Sequence, residues 1–214
     1  MSLIALDASG SQAGLALLGP DGEVKRRWHA PLKPGLIETL PLLLKEAAAG
    51  QTITDVAVSI GPGSFTGLRT SIALAQGFAA GLGAGLWGIP VWEAYLEALP
   101  GLDRPLWVVI RARRGRLFLL RNDGKPEAFA DDDLPLPPGP VAIAGEEAEA
   151  VATFLTAKGA KMLQTDIRLP DVADIGKAAL RHKQARDIPG MAMPLYVDPP
   201  EAKLPAAGLR PAPL

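Results

Sequence analysis

Short apolar runs separated by turn residues open the chain and predict strands. The runs cover residues 3–6, 14–18 and 24–28, and a Pro20-Asp21-Gly22 turn separates the second run from the third. Runs of this length, bounded by Gly, Pro and Asp, are typical of strands joined by tight turns. The first thirty residues are therefore predicted to form an antiparallel three-stranded meander.

Helical spacing follows the meander. Leucines at positions 36, 40, 43 and 44, followed by Ala47, form the stripe of an amphipathic helix. Pro41 falls inside this stripe, where it removes one backbone donor and either bends the helix or marks its first turn. A strand at residues 55–60, a second helix at about residues 66–82 and a further strand come next. The first half thus alternates strands with helices.

The second half repeats this alternation less regularly. Strands are predicted at residues 106–110, 116–121 and 141–144, and helices near residues 146–158 and 171–181. Their order indicates a second, smaller α/β unit.

Proline and glycine suggest where the units divide. Pro100-Gly101 is the natural hinge, which gives an N-terminal lobe of residues 1–100 and a smaller C-terminal lobe of residues 101–214. Five prolines from Pro199 onward predict a tail without regular structure.

The composition narrows the function classes. A chain of 214 residues with 48% hydrophobic residues can bury a core, and its net charge of −1 gives no positive surplus for binding nucleic acid. Any contact with RNA must therefore be local or made through another protein. Cysteine is absent, which excludes disulfides and thiolate chemistry. His29 and His182 are the only histidines, so no histidine-rich metal site is expected.

One segment is long and apolar enough to be weighed as a membrane span, at residues 72–92. Its five glycines and Pro90 argue against a continuous helix. No basic residues precede the first apolar run, which Asp7 interrupts, so no secretory signal is expected. We expect a cytoplasmic protein that does not enter the membrane.

A glycine-rich motif joins the strand at 55–60 to the second helix, and it reads Gly61-Pro62-Gly63-Ser64-Phe65-Thr66-Gly67-Leu68-Arg69. Glycines allow close backbone approach, and the first amides of a helix lack partners, so the junction suits a phosphate or carboxylate. On these grounds alone, a tight turn without a ligand is the favoured explanation. The spacing of its glycines and the absence of lysine exclude a P-loop and a dinucleotide fingerprint.

This motif resembles the signature of the TsaB (YeaZ) family of bacterial tRNA threonylcarbamoyladenosine biosynthesis proteins. The likeness extends to both ends of the chain. Residues 4–9 resemble the family's first strand and its Asp-Thr-Ser turn, and residues 194–197 resemble its closing Pro-x-Tyr segment. The resemblance covers residues 1–92 firmly and the remainder loosely. It implies an α/β, two-lobed actin-like, Hsp70-like or sugar-kinase-like ATPase fold, a mixed sheet flanked by helices, with a reduced second lobe.

The resemblance also implies a function. Members of this family bind the catalytic subunit TsaD and activate it to transfer threonylcarbamoyl to the adenosine next to the anticodon of tRNA. TsaD carries a metal-binding His-x-x-x-His motif that this chain lacks. The expected role is therefore a non-catalytic partner subunit. It would form a heterodimer with TsaD, act with the ATPase TsaE, meet tRNA through the complex, and form a homodimer when TsaD is absent.

Five residues, at the end of the first strand and in the glycine-rich motif, are candidates for a weak or vestigial nucleotide site for ATP or ADP with magnesium. They are Asp7, Ser9, Gly61, Gly63 and Ser64. A carboxylate at the end of the first strand suits Mg²⁺, but Asp7 could equally cap its turn. Ser64 or Thr66 is expected to cap the second helix. Arg69 either binds an anion or is solvated.

The first two helices are the candidate partner interface, with Leu36, Leu40, Leu44, Thr70, Ala73, Gly77, Ala80 and Gly81. Very small side chains form one face of the second helix and let another backbone approach. Bulkier residues at positions 68, 72, 75, 79 and 82 form a second stripe. The small face either packs on the chain's own sheet or meets a partner. The resemblance implies contact with equivalent helices of TsaD or of a second copy.

Four arginines lie within six residues in the segment from Arg111 to Arg116. This turn either contacts tRNA phosphates or is a solvated hairpin without aromatic residues to stack bases. The chain has Arg111-Ala112-Arg113 where the family usually has Asp-Ala-Arg. No contact of this segment with tRNA can be carried over from the family.

Two other functions are the alternatives. An independent ATPase or small-molecule kinase of the same fold would use Asp7 for the metal and the Gly61 turn for phosphate, but Ala144-Gly145-Glu146 is a poor second phosphate-binding turn. A peptidase would require a zinc signature, or a nucleophile with its base, and the chain shows neither.

Overall fold

Two five-stranded sheets form the framework of the protein. The computed structural model describes residues 1–31, 36–113, 115–121, 125–190 and 192–197; the side chains of residues 36–38 and 113 are not described. Each sheet is the centre of one lobe.

The first lobe has the element order that the sequence predicts. Its strand order is β3-β2-β1-β4-β5, with β1 antiparallel to β2 and parallel to β4. Its elements are β1 (Ser2–Asp7), β2 (Gln12–Leu18), β3 (Val24–Pro31), α1 (Leu36–Ala48), β4 (Ile53–Gly61), α2 (Phe65–Leu82) and β5 (Gly85–Pro90). Pro41 lies inside α1.

Side chains alternate between the two faces of β1, and both faces are buried. Ile4 and Leu6 pack in the core beneath α1 and α2. Leu3 and Ala5 pack in a second core on the opposite face. A strand buried on both faces needs the near-continuous apolar sequence that β1 has.

The second lobe has strand order β10-β9-β6-β7-β8. Its core contains one face of the sheet and helix α4. Two of its elements, α3 and β10, are not predicted by the sequence. The elements from residue 91 onward are α3 (Val91–Ala98), β6 (Leu106–Arg113), β7 (Arg116–Leu120), β8 (Pro126–Ala130), β9 (Val141–Ala144), α4 (Ala148–Ala157), β10 (Met162–Gln164) and α5 (Val172–Gln184).

Helix α5 returns to the first lobe. Its residues Val172, Ile175 and Ala179 share the buried core of β1 that contains Leu3 and Ala5. The helix begins with a capping box between Asp171 and Asp174. The predicted division at residue 100 therefore needs a correction, because α5 is needed to cover the open face of the first sheet.

The last described residues also lie against the first lobe. The amide of Leu195 donates to the carbonyl of Ile60 at 2.8 Å, and Gln76 Nε2 of α2 donates to the carbonyl of Ala192 at 2.8 Å. The tail predicted from Pro199 lies outside the described residues.

Candidate functional site

The glycine-rich motif packs against the β1–β2 turn. A Cβ atom on Gly67 would overlap the carbonyl oxygen of Ala8, and one on Gly63 would overlap that of Ser9. The amide of Ser64 donates to the carbonyl of Ser9 at 2.6 Å. Two of the motif's glycines therefore allow two turns of the same chain to touch.

The N-terminus of α2 is capped by the motif itself. Ser64 Oγ accepts from the amide of Gly67 at 3.3 Å, which confirms Ser64 as the capping residue. The Ser64 carbonyl accepts from the amide of Leu68 at 2.9 Å. Gly61 has φ of 96°, a backbone conformation that favours glycine. The geometry thus supports a tight turn without a ligand, because the amides of Ser64 and Gly67 already donate hydrogen bonds to groups of the protein itself.

Asp7 ends β1 beside these turns. Its Oδ1 accepts from the amide of Ser9 at 2.9 Å, as an aspartate that caps a turn does. Burial raises the pKa of Asp7, and its hydrogen bonds with Ser9 and Ser59 only partly oppose this. The carboxylate is therefore held in an environment that disfavours its charge.

A cleft of about 610 Å³ separates the β1–β2 turn from the second lobe. Asp7 is the one residue of the five nucleotide candidates that lines it. The opposite wall includes Glu146, Asp166, Arg168 and Asp171. Residues 166–171 are not among the predicted site residues, because this segment has no motif and only the fold brings it to the cleft.

Carboxylates dominate the charge of this cleft. Ser11 Oγ on the first lobe donates to Glu146 Oε1 on the second, so one carboxylate is already bonded across the opening. Arg168 NH2 donates to the carbonyl of Glu146 at 3.3 Å. Polyphosphate entering the cleft would meet acidic side chains with one arginine to offset them.

The outer face of α2 carries the small residues as predicted. Ala73, Gly77, Ala80 and Gly81 are exposed, and Thr70 is half-buried and donates its hydroxyl to the carbonyl of Thr66 at 3.0 Å. On the opposite side, the predicted bulkier stripe is buried at residues 68, 72, 75 and 79. Leu82, the fifth member of that stripe, is exposed.

A groove of about 540 Å³ runs between α1 and α2. It is lined by Pro41, Leu44, Lys45, Ala48, Ala49, Ala73, Leu74, Gly77, Phe78 and Leu82. Lys45 is its one charged residue. Of the predicted interface residues, Leu44, Ala73 and Gly77 line this groove.

The predicted α1 interface residues need a correction. Leu40 and Leu44 are exposed by only 3% and 1%, because they pack into the cores of their own lobe. Leu40 lies below the surface, and Leu44 belongs to the floor of the groove. The side chain of Leu36 lies outside those described.

The first turn of α2 contacts the last described residues. Arg69 Nε donates to the hydroxyl of Tyr196 at 2.9 Å, and the Arg69 guanidinium lies 4.3 Å from the ring centroid of Phe65. The rings of Phe65 and Tyr196 are 5.7 Å apart. Arg69 therefore joins the two segments that carry the resemblance.

The arginine-rich turn is engaged within the second lobe. Arg111 NH1 binds Asp131 at 2.9 Å, and its NH2 binds Glu147. These ion pairs raise the pKa of the guanidinium, with Glu147 contributing most. Arg114 lies outside the described residues, as does the side chain of Arg113. Arg111 is thus neutralised by two carboxylates.

Two features are absent from the described residues. No group of three or more His, Asp or Glu side chains there is placed to hold a metal ion. No described helix combines the length and apolar character that a membrane crossing requires.

Comparison with known families identifies the chain. The model of the family described as "TsaD: tRNA N6-adenosine threonylcarbamoyltransferase" matches residues 33–181. The chain belongs to the TsaD family. No curated protein matches it in sequence.

Solved structures confirm the predicted TsaB (YeaZ) fold for this TsaD-family chain. A Pseudomonas aeruginosa protein with similarity to peptidase YeaZ superposes with a TM-score of 0.75 at 19% identity, covering 92% of this chain and 99% of that one. YeaZ from the same organism gives 0.71 at 18% identity, covering 92% and 100%. Both lobes of the fold are included in these matches.

A more distant structure supports the wider fold class. The ethanolamine utilization protein EutJ from Carboxydothermus hydrogenoformans gives a TM-score of 0.52 at 14% identity, covering 84% of this chain and 90% of that one. Together with the two sheets and their flanking helices, this confirms the predicted two-lobed actin-like fold.

Proposed function

We propose that this chain is a non-catalytic partner subunit that binds TsaD through the exposed face of α2 and the adjoining groove, and activates it for threonylcarbamoyl transfer to tRNA. The observation that carries the proposal is the exposure of the small residues of α2. The family match and the YeaZ fold support the setting.

The small residues of this face are not required by the chain's own packing. A Cβ atom added to Gly77 or Gly81 would meet no atom within 4 Å. Glycine inside an exposed helix costs about 1 kcal/mol relative to alanine. Close approach of a partner backbone to α2 explains why glycine occupies these positions, whereas packing within the first lobe does not.

The adjoining groove adds apolar area to this face. Leu74, Phe78 and Leu82 line it, and Leu82 is 50% exposed. An amphipathic helix laid into such a groove buries its apolar side chains and brings its backbone over Ala73 and Gly77. This surface therefore fits a partner helix that packs against both α1 and α2.

The histidines do not suggest a metal-dependent transferase. His182 Nε2 lies 2.7 Å from Glu93 Oε2, and its Nδ1 lies 2.6 Å from Asp187 Oδ2. One ring nitrogen thus contacts helix α3, and the other contacts the segment that follows α5. His29 lines the cleft but has no histidine near it in sequence. This supports assigning the chemistry to TsaD.

The remaining parts of the proposal follow the family. TsaE and tRNA would meet this chain through the complex, a homodimer would form in the absence of TsaD, and the complex would work in the cytoplasm. Nucleotide with magnesium, if bound by this chain, would lie in the cleft beside Asp7. The acidic walls of that cleft predict weak binding.

A stand-alone ATPase or kinase is the alternative, and the cleft that Asp7 lines is its one supporting observation. The packed glycine turn and the carboxylates around the cleft weigh against it. Robust ATP turnover by the purified chain without TsaD would favour this alternative over the partner role.

Reconstitution tests the proposal. The purified chain, TsaD and TsaE from the same organism are mixed with unmodified tRNA and the threonylcarbamoyl donor, and modified adenosine is measured with and without the chain. We expect modification to depend on the chain. Equal modification in its absence would contradict the proposal.

Bulky variants locate the surface. Ala73→Trp and Gly77→Trp should abolish TsaD binding and leave the thermal unfolding midpoint of the free chain nearly unchanged, because both positions are exposed. Ala150→Trp, at an exposed alanine of α4 in the second lobe, is the matched control and should bind normally. Normal binding by the α2 variants would place the interface elsewhere.

A further inference from the structure

Arg69 lies on the same face of α2 as the small residues that are proposed to meet TsaD. It is the only charged residue among the 18 residues of this helix. Arg69 precedes Ala73 by four positions, and Ala73 precedes Gly77 by the same interval, so the three residues follow one another along one side of the helix. The proposed docking face therefore carries a cation near its N-terminal end.

The contacts of Arg69 hold its side chain in place without neutralising its charge. Its Nε donates to the hydroxyl of Tyr196 at 2.9 Å, and its guanidinium lies 4.3 Å from the ring centroid of Phe65. Both rings are exposed and uncharged. Within the described residues, no carboxylate forms an ion pair with Arg69. The guanidinium is thus positioned at the surface and open to a carboxylate from another molecule.

Lys45 brings a second positive charge to the same surface. It is exposed on α1, and it is the one charged residue among the described residues that line the groove. No described carboxylate pairs with it either. Its neighbour Glu46 lies about 100° further around the helix and does not line the groove. Both charges of the docking surface are therefore positive, although the net charge of the whole chain is −1.

These two charges limit what can cover the surface. A purely apolar helix would desolvate them without compensation, whereas a carboxylate opposite each cation offsets that cost. A second copy that docked through the same face about a two-fold axis would bring its own Arg69 and Lys45 into the interface. No described residue that lines the groove supplies a carboxylate to meet them. The surface therefore favours an acidic partner over a second copy of this chain.

We propose that the partner surface that docks on α1 and α2 carries carboxylate side chains that pair with Arg69 and Lys45, and that these two cations select an acidic partner over a second copy. This inference rests on the proposed function, to which it adds the chemistry of the partner's contact surface.

Carbodiimide cross-linking tests the pairing directly. The reagent joins a lysine amine to a carboxylate that touches it, takes up the water that is lost, and leaves an amide bond that mass spectrometry locates. In the complex with TsaD, we expect a cross-link from Lys45 to an aspartate or glutamate of TsaD. Lys45→Arg should still bind but lose this cross-link, because arginine keeps the charge without a reactive amine. Arg69→Lys should add a cross-link at position 69, and the exposed Lys158 of the second lobe should form none.

Charge variants measure how much the pairs contribute. Replacing Arg69 and Lys45 together by Gln should weaken TsaD binding about tenfold, and replacing both by Glu about a hundredfold, because like charges then face each other. The double variant Lys158→Glu, Lys161→Glu is the matched control. It changes the net charge by as much as the Glu variant does, at exposed positions of the second lobe, and should bind normally. The thermal unfolding midpoint of each free variant shows whether it is folded.

Salt tests the same pairing in the native protein and needs no variant. Because salt screens exposed charges, the affinity for TsaD should fall about tenfold between about 0.05 M and about 0.5 M NaCl. The double Gln variant should lack most of this fall. Self-association of the native chain, measured by sedimentation equilibrium, should not be tighter at low salt than at high salt, because both copies bring the same charges.

The outcomes separate this inference from the proposed function. TsaD binding that neither salt nor the charge variants change, with no cross-link from Lys45, would reject the inference and leave the proposed function intact. Self-association that tightens at low salt would also overturn the inference. A native chain that fails to bind TsaD at low salt would reject the proposed function itself.

Discussion

Gly67 in the first turn of α2 lies against the carbonyl of Ala8 in the β1–β2 turn, with no room between them for a Cβ atom. This contact holds the start of α2 over the end of β1. It also explains a glycine in a helical position, because any larger residue would push the two turns apart. The glycine motif is therefore first a packing device of the first lobe.

Replacing Gly67 by Ala should be strongly destabilising. The new methyl group must displace backbone atoms of Ala8, which overpacks a buried site and should cost about 3 kcal/mol. Urea unfolding followed by circular dichroism measures the difference. Gly77→Ala is the matched control in the same helix, where the added methyl meets nothing and should stabilise the protein by about 1 kcal/mol. Equal effects of the two variants would contradict the packing role.

Asp7→Asn should raise the stability of the free protein at neutral pH. Burial raises the pKa of Asp7, so the folded state disfavours the carboxylate that the unfolded chain carries freely. Stability in the native protein should therefore fall as pH rises from 3.8 through the higher folded-state pKa.

The stability of the Asp7→Asn variant should not fall over this pH range, and its side-chain amide oxygen can still accept a hydrogen bond from the amide of Ser9. Thermal unfolding across pH 3.5 to 8 measures both curves. A variant less stable than the native protein at pH 7 would show that the charge of Asp7 is compensated by the site.

His182 should make the stability of the protein depend on pH above 6.5, the ordinary pKa of histidine. Its hydrogen bond with Asp187 raises its pKa above 6.5; burial opposes the shift, the contact with Glu93 adds to it, and Arg181 weakens it. The imidazolium therefore contributes stability that is fully present below pH 6.5 and is lost as pH rises through the higher folded-state pKa.

His182→Gln should remove this dependence, because glutamine keeps a polar side chain without a titration in this range. The native and variant unfolding midpoints are compared between pH 6 and 9. Parallel curves for the two proteins would contradict a stabilising imidazolium.

Asp55→Asn should destabilise the first lobe and change its response to acid. Asp55 is buried, and although burial opposes ionisation, hydrogen bonds from Lys183, Trp87 and Thr54 lower its pKa below 3.8. Loss of these charge-assisted bonds should cost about 1–3 kcal/mol at pH 7.

The native contribution is present above pH 3.8 and is lost as pH falls through the lower folded-state pKa, whereas the Asn variant lacks it throughout. Denaturant titrations at pH 7 and pH 3 measure the two differences. The difference in free energy of unfolding between the native protein and the variant should be smaller at pH 3 than at pH 7. An equal difference at both pH values would show that packing is responsible instead of charge.

The sequence predicts the first lobe well because its elements are long, regular and separated by clear turns. Helix α3 follows β5 directly at Pro90, and the apolar sequence gives no boundary between them. β10 contains three residues, too few for an alternating pattern to show. These elements form through contacts made by the folded lobe.

The candidate site is only partly visible in the sequence. An amphipathic stripe indicates that Leu40 and Leu44 are shielded from solvent, but it does not show whether their own sheet or a partner covers them. Their own lobe covers both. Likewise, the glycines of the motif indicate close backbone approach, and only the fold shows that the Ala8 and Ser9 carbonyls are what approach them. Arg168 reaches the cleft through a loop that no motif marks.

The return of α5 to the first sheet has a consequence for how the protein is made. Residues 1–100 complete the β1 sheet in sequence, yet the face that holds Leu3 and Ala5 is covered by a helix that ends at Gln184. During translation the ribosome releases this helix last among the described elements. Until then, the nascent chain presents an uncovered apolar sheet face, and we expect chaperones to bind it.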